Sequence, residues 1–181
     1  MARANSWTND DGLFVGFGTR DSKNDNGATV QTEGNVESFS MELEWDNLPA
    51  AAPTAPLSKS IPIPANSTIH RATLSVTEAF TAAGGATLDI GFKQADGTDI
   101  DLNGIDAVIA ITVIDAIGDV VQCNGALVGG LVTVRLLDAY ISTVVTTGPF
   151  TAGMAELTIE YSRPLPDSDP TDPIDGIVGA L

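Results

Sequence analysis

The sequence predicts an all-β sandwich with at most one or two short helices. Two observations predict it. Apolar and polar residues alternate with a period of two in four separate windows, and turn-forming residues separate those windows. The composition is also apolar enough to build a core without covalent or metal staples, at 43% hydrophobic residues and a mean hydropathy of +0.15.

In residues 36 to 45 the odd positions Phe39, Met41, Leu43 and Trp45 are apolar and Ser38, Ser40, Glu42 and Glu44 are polar, the pattern of a half-buried strand. From 69 to 80, Ala72, Leu74, Val76 and Phe80 oppose Arg71, Thr73, Ser75 and Thr77. Residues 86 to 92 repeat this with Leu88, Ile90 and Phe92 inward against Thr87, Asp89 and Lys93, so Gly84-Gly85 between the two windows reads as part of a hairpin connection. Near the other end Ala155, Leu157, Ile159 and Tyr161 alternate with Glu156, Thr158, Glu160 and Ser162. Residues 131 to 145 carry apolar side chains on both parities, among them Leu131, Val132, Val134, Leu136, Leu137, Ile141, Val144 and Val145. That suits a central strand or one at an interface between copies, and it predicts self-association.

One window has helical spacing: Ile105, Val108, Ile109, Thr112 and Val113 follow i, i+3, i+4, which places the best helix candidate between Ile105 and Gly118, although its β-branched content suits a strand nearly as well. Residues 119 to 130, with Asn124-Gly125 and Gly129-Gly130, read as a turn-rich connection. Residues 46 to 66 hold five of the ten prolines and are expected to run extended across a surface. We therefore expect one domain over residues 1–163 and a separate arm over 164–181. That arm has four prolines and four aspartates, then the apolar Ile174, Ile177, Val178 and Leu181 as a tip suited to docking on a neighbour.

Eight Lys and Arg against 24 Asp and Glu give a net charge of −16, which repels phosphate backbones and anionic lipid. Nucleic acid and membrane surfaces are therefore excluded as partners. Cys123, the single cysteine, permits no internal disulfide, and no Cys/His cluster suggests structural zinc. The start, MARANSWTNDDG, has no basic stretch leading into an apolar run, so no signal peptide is expected, and the reading places synthesis in a cytoplasm.

His70, the only histidine, shares the parity of the core-facing Ala72 and Leu74, which argues for a structural or rim residue rather than a catalytic base. Cys123 lies in no nucleophile context and reads as inert packing. The weak metal candidate is Asp99-Ile-Asp101-Leu-Asn103-Gly104, which matches the first six positions of a calcium loop. Position twelve, where a bidentate Glu belongs, is Ala110, so an Asp/Asn-rich turn is the better reading. No catalytic residue and no cofactor is assigned.

Three stretches resemble small head-associated structural proteins of tailed bacteriophages. The run from Trp7 to Arg20, WTNDDGLFVGFGTR, is similar to the opening of that family. Ile63 to Ile69 leading to Val76–Phe80 and Ala86–Gly91 is similar to its proline lead-in and two strands, and Phe150 to Tyr161 resembles its closing hairpin. The resemblance implies a decoration or cement protein, a β-sandwich or jelly roll that forms a homotrimer and sits on the major capsid protein at the outer surface of the virion. It implies no catalytic residues. The alternatives are a tail or fibre component or a host-surface glycan-binding module, and, from a different class, a small acidic hydrolase that would depend on His70.

Overall fold

The computed structural model describes residues 36–49, 53–129 and 137–163 in full, and the backbone alone of four short strands nearer the N-terminus. Those four are β1 (Ser6–Thr8), β2 (Phe14–Gly16), β3 (Arg20–Lys23) and β4 (Thr29–Glu33). They are followed by β5 (Val36–Glu44), β6 (Thr68–Ala82), β7 (Thr87–Lys93), β8 (Asp99–Ala110), β9 (Val120–Gln122), β10 (Tyr140–Thr146) and β11 (Phe150–Ser162). β1 and β2 form a two-stranded ribbon. The remaining strands form two antiparallel sheets, a six-stranded one in the order β3-β4-β5-β11-β6-β9 and a three-stranded one in the order β10-β7-β8. Their inner faces share one hydrophobic core, so the predicted all-β sandwich is the observed fold.

The nested pairing makes it jelly-roll-like. β6 pairs with β11 in one sheet while β7 pairs with β10 in the other. The connections 83–86 and 147–149 therefore carry the same two-stranded ribbon from sheet to sheet. This corrects the hairpin expected at Gly84-Gly85: β6 and β7 are consecutive in sequence but lie in different sheets. The segment Phe150 to Tyr161 is likewise not a hairpin but one unbroken strand, bonded to β5 on one side and β6 on the other.

The alternation places Phe39, Met41, Leu43, Ala72, Leu74, Val76, Phe80, Leu88, Ile90, Phe92, Ala155, Leu157, Ile159 and Tyr161 in the core, as predicted. Trp45 departs from it at 40% exposed, because β5 ends at Glu44 and Trp45 opens the 3-10 turn Trp45–Asn47, which breaks the strand's parity. Lys93, expected outward, is buried. Its ammonium pairs with Asp99 and donates to the Gly97 carbonyl at 3.1 Å, so the turn between β7 and β8 covers that end of the sheet's outer face.

The helix expected between Ile105 and Gly118 is extended strand as far as Ala110, then a 3-10 turn over Ile111–Val113. Ile105 and Ile109 are both buried, yet Ala107 and Val108 between them are exposed and Val108 has φ +58°. An irregularity in β8 thus produces a four-residue apolar spacing that mimics a helix.

Two irregular segments seal the sandwich. Along β10, Leu57 N–H donates to Ile141 O at 2.9 Å, Ile141 N–H to Ser60 Oγ at 2.8 Å and Val145 N–H to Pro49 O at 3.1 Å, and Ile63 bridges to Ala139. The proline-rich stretch therefore runs along a strand edge, where its missing N–H groups cost nothing. Opposite, residues 123–129 stitch the sheets together. Cys123 N–H bonds Ala72 O at 3.0 Å, Gly125 N–H bonds Ile105 O at 2.8 Å, Leu127 N–H bonds Gly104 O at 2.9 Å and Gly129 N–H bonds Ile69 O at 3.0 Å.

Candidate functional site

His70 does not face the core. The β6·β11 register slips between Arg71↔Glu160 and Ile69↔Tyr161, so His70 and Arg71 together oppose one residue and both point outward while Ile69 turns in. Its Nε2 lies 3.0 Å from Ser162 Oγ, and Arg71 makes a 2.5 Å ion pair with Glu160. His70 thus stands at an exposed rim position, which corrects the core-facing parity expected from sequence.

The rest of this outer face is a lattice of short polar side chains. Ser40 bonds Glu156 and lies 3.5 Å from Thr158, Thr73 donates to Gln122 at 3.3 Å, Thr77 donates to Met154 O at 3.1 Å, and the Thr81 and Thr151 hydroxyls are 2.8 Å apart. At one end Glu37 is buried between Tyr161, whose phenol donates to Oε2 at 2.7 Å, and Arg163, whose Nε lies 2.6 Å from Oε1. Burial, then the hydrogen bond and charge of Glu37, push the Tyr161 phenol well above its ordinary range. Burial pulls the Arg163 guanidinium down, but contact with Glu37 outweighs it and leaves the group above its ordinary value.

Cys123 is buried against Asp106. Burial, reinforced by the Asp106 carboxylate, pushes the thiol up to about 12, and burial raises Asp106 as well. A thiol held protonated in this way is a poor nucleophile, in line with the packing role read from sequence.

Asp99, Asp101 and Asn103 sit at alternate positions of β8. Asp99 is paired with Lys93, and Asp101 Oδ1 accepts from Asn103 N–H at 3.2 Å. Asp99 is thus turned to Lys93 and Asp101 to the adjoining main chain, rather than both converging on one point as in a calcium loop. Among the described residues no group of three or more His, Cys, Asp or Glu is placed to hold a metal ion. The sequence-predicted contact residues Leu131, Val132, Val134, Ile174, Ile177, Val178 and Leu181 lie outside the described residues.

Sequence reasoning missed one exposed surface. Val113, Ile117 and Val120 are 47%, 74% and 55% exposed along the segment that flanks β6. That segment is bonded through Phe80 N–H to Ile114 O at 3.0 Å, Gly118 N–H to Val76 O at 2.9 Å and Val76 N–H to Asp119 O at 2.9 Å. A signal was present: between Lys93 and Arg135 the chain has no basic residue, so these apolar side chains have no long cationic neighbour nearby in the sequence.

No protein-family model and no curated protein sequence matches the chain. Among solved structures, a chain from the capsid of Ralstonia phage GP4 superposes with a TM-score of 0.51 at 22% identity, covering 74% of this chain and 87% of that one. This chain therefore has the same fold as that capsid chain.

Proposed function

We propose that the protein is a structural component of a tailed-phage virion that binds the outer surface of the assembled capsid and reinforces it by contact rather than by chemistry. The observation that carries this reading is the likeness to a chain of the phage GP4 capsid over most of both chains. The polar lattice on the six-stranded sheet and the charge of −16 support an outward-facing role, since a strongly acidic surface keeps particles dispersed. In this reading residues 1–163 form the body, a homotrimer seats on the major capsid protein, and 164–181 serve as an arm docking through Ile174, Ile177, Val178 and Leu181. The stretch with Leu131, Val132 and Val134 lies between copies.

The test compares particles with and without the protein. Those lacking it are expected to release DNA at a lower temperature, and adding the purified chain back restores the difference. Equal heat stability at full occupancy rejects reinforcement and favours a tail, fibre or host-surface glycan-binding role.

A further inference from the structure

Both edges of the three-stranded sheet are covered. That of β10 is sealed by Pro49 to Ile63, and that of β8 is met at Gly104 and Ile105 by Leu127 and Gly125. β9 closes the six-stranded sheet with no strand beyond it among the described residues. Cys123 N–H bonds Ala72 O and Val76 N–H bonds Asp119 O, so antiparallel alternation makes Thr73↔Gln122 and Ser75↔Val120 the non-bonded pairs. The main-chain N–H and C=O of Val120 and Gln122 therefore point away from β6. Among the described residues they form an open template flanked by the exposed side chains of Val113, Ile117 and Val120.

Such an edge is usually blunted by lysine or proline, and here neither is present in the segment from Ile111 to Gln122. Its charges are Asp115 and Asp119 alone, with Asp119 Oδ2 committed to Ala116 N–H at 2.9 Å. Pairing this edge with the same edge of a second copy sets aspartate against aspartate in a chain already at −16.

Resting on the capsid-binding reading, we propose that the edge from Val113 to Gln122 is the docking surface for a partner segment that adds to β9 as a further strand. That partner offers apolar side chains to Ile117 and Val120 and Lys or Arg to Asp115 and Asp119. It is a basic, apolar segment of the shell protein rather than a second copy of this chain.

The experiment is co-sedimentation of the full-length chain with shells purified from the source particles and freed of this protein. The variants are Ile117→Asp, Val120→Asp and, as a control at another exposed apolar site, Val108→Asp, each with its melting temperature recorded; Ile117→Asp decides the test if Val120→Asp fails to fold. The proposal expects Ile117→Asp to weaken binding by about tenfold or more, Val108→Asp to bind as the parent does, and binding to fall with added salt. If the parent binds and Ile117→Asp binds equally well, the surface is wrongly assigned and the capsid-binding reading stands. If the parent does not bind shells, that reading fails and the inference falls with it. If the parent self-associates and Ile117→Asp abolishes the association, the occupant is a second copy and the proposal is overturned.

Discussion

Tyr161 and Glu37 face each other across the β5·β11 pair, and the phenol donates a 2.7 Å hydrogen bond to Glu37 Oε2 while both residues are buried. A carboxylate removed from water is tolerated only when its lone pairs are occupied, and here Arg163 occupies the other oxygen from the end of β11. The cluster thus ties the first described residues of β5 to the last of β11.

Tyr161→Phe leaves one oxygen of Glu37 without its partner and is expected to cost about 1–3 kcal/mol in urea unfolding. The folded-state phenol titrates above its ordinary 10.0, so the unfolded chain releases its proton first as pH rises. The tyrosine's contribution is therefore complete below pH 10 and lost above it, and the stability gap between parent and Tyr161→Phe narrows at alkaline pH. A constant gap contradicts the assignment.

Gly153 has φ +127°, and a Cβ there would stand 2.6 Å from Phe80 Cα and closer still to the ring. Phe80 in turn meets Phe150 edge-on at 5.1 Å between centroids. Gly153→Ala should cost more than about 2 kcal/mol through backbone strain and overpacking. Gly85→Ala, with nothing near its Cβ, should change stability by less than about 1 kcal/mol. Similar losses at both positions rule out this account.

Leu74 and Leu157 are cross-strand partners at the centre of the six-stranded sheet, both fully buried. Each truncation to alanine is expected to cost about 2–5 kcal/mol. Because the two cavities merge, the double variant should depart from additivity by about 0.5 kcal/mol or more, as read from denaturation midpoints.

Cys123, with its thiol pushed up to about 12, should react with a disulfide reagent at pH 8 only as fast as the fold opens, and promptly in denaturant. Asp106 is raised by burial, so it favours folding below pH 3.8 and loses that contribution as pH rises through its folded value. Asp106→Asn retains an oxygen for Ala107 N–H and removes the buried charge. It is expected to be more stable than the parent at pH 7, with the advantage shrinking towards pH 4.

Removing residues 165–181 should leave the melting temperature nearly unchanged and weaken capsid or trimer association, since a tethered contact acts through effective concentration. Equal association by the truncated chain refutes the arm.

Alternation was enough to locate the core faces of Phe39–Leu43, Ala72–Val76, Leu88–Phe92 and Ala155–Tyr161, because a strand half in water writes its period of two directly into residue type. It could not report where that period slips. His70 turns outward because the β6·β11 register shifts beside it, and the helix-like spacing of Ile105 and Ile109 arises from an irregularity in β8. Both depend on the strand opposite, which local sequence does not name. The same holds for the sheet each strand joins. Gly84-Gly85 is compatible with a hairpin or a crossover, and the pairing of β7 with β10 sends the chain across. Lys93 looked solvated until the β7–β8 turn covered it, and the apolar edge at Ile117 and Val120 emerged only when β9 proved to have no strand beyond it among the described residues. Residue type records how much water a side chain meets on average, whereas register, crossover and edge are set by contacts between segments distant in the chain.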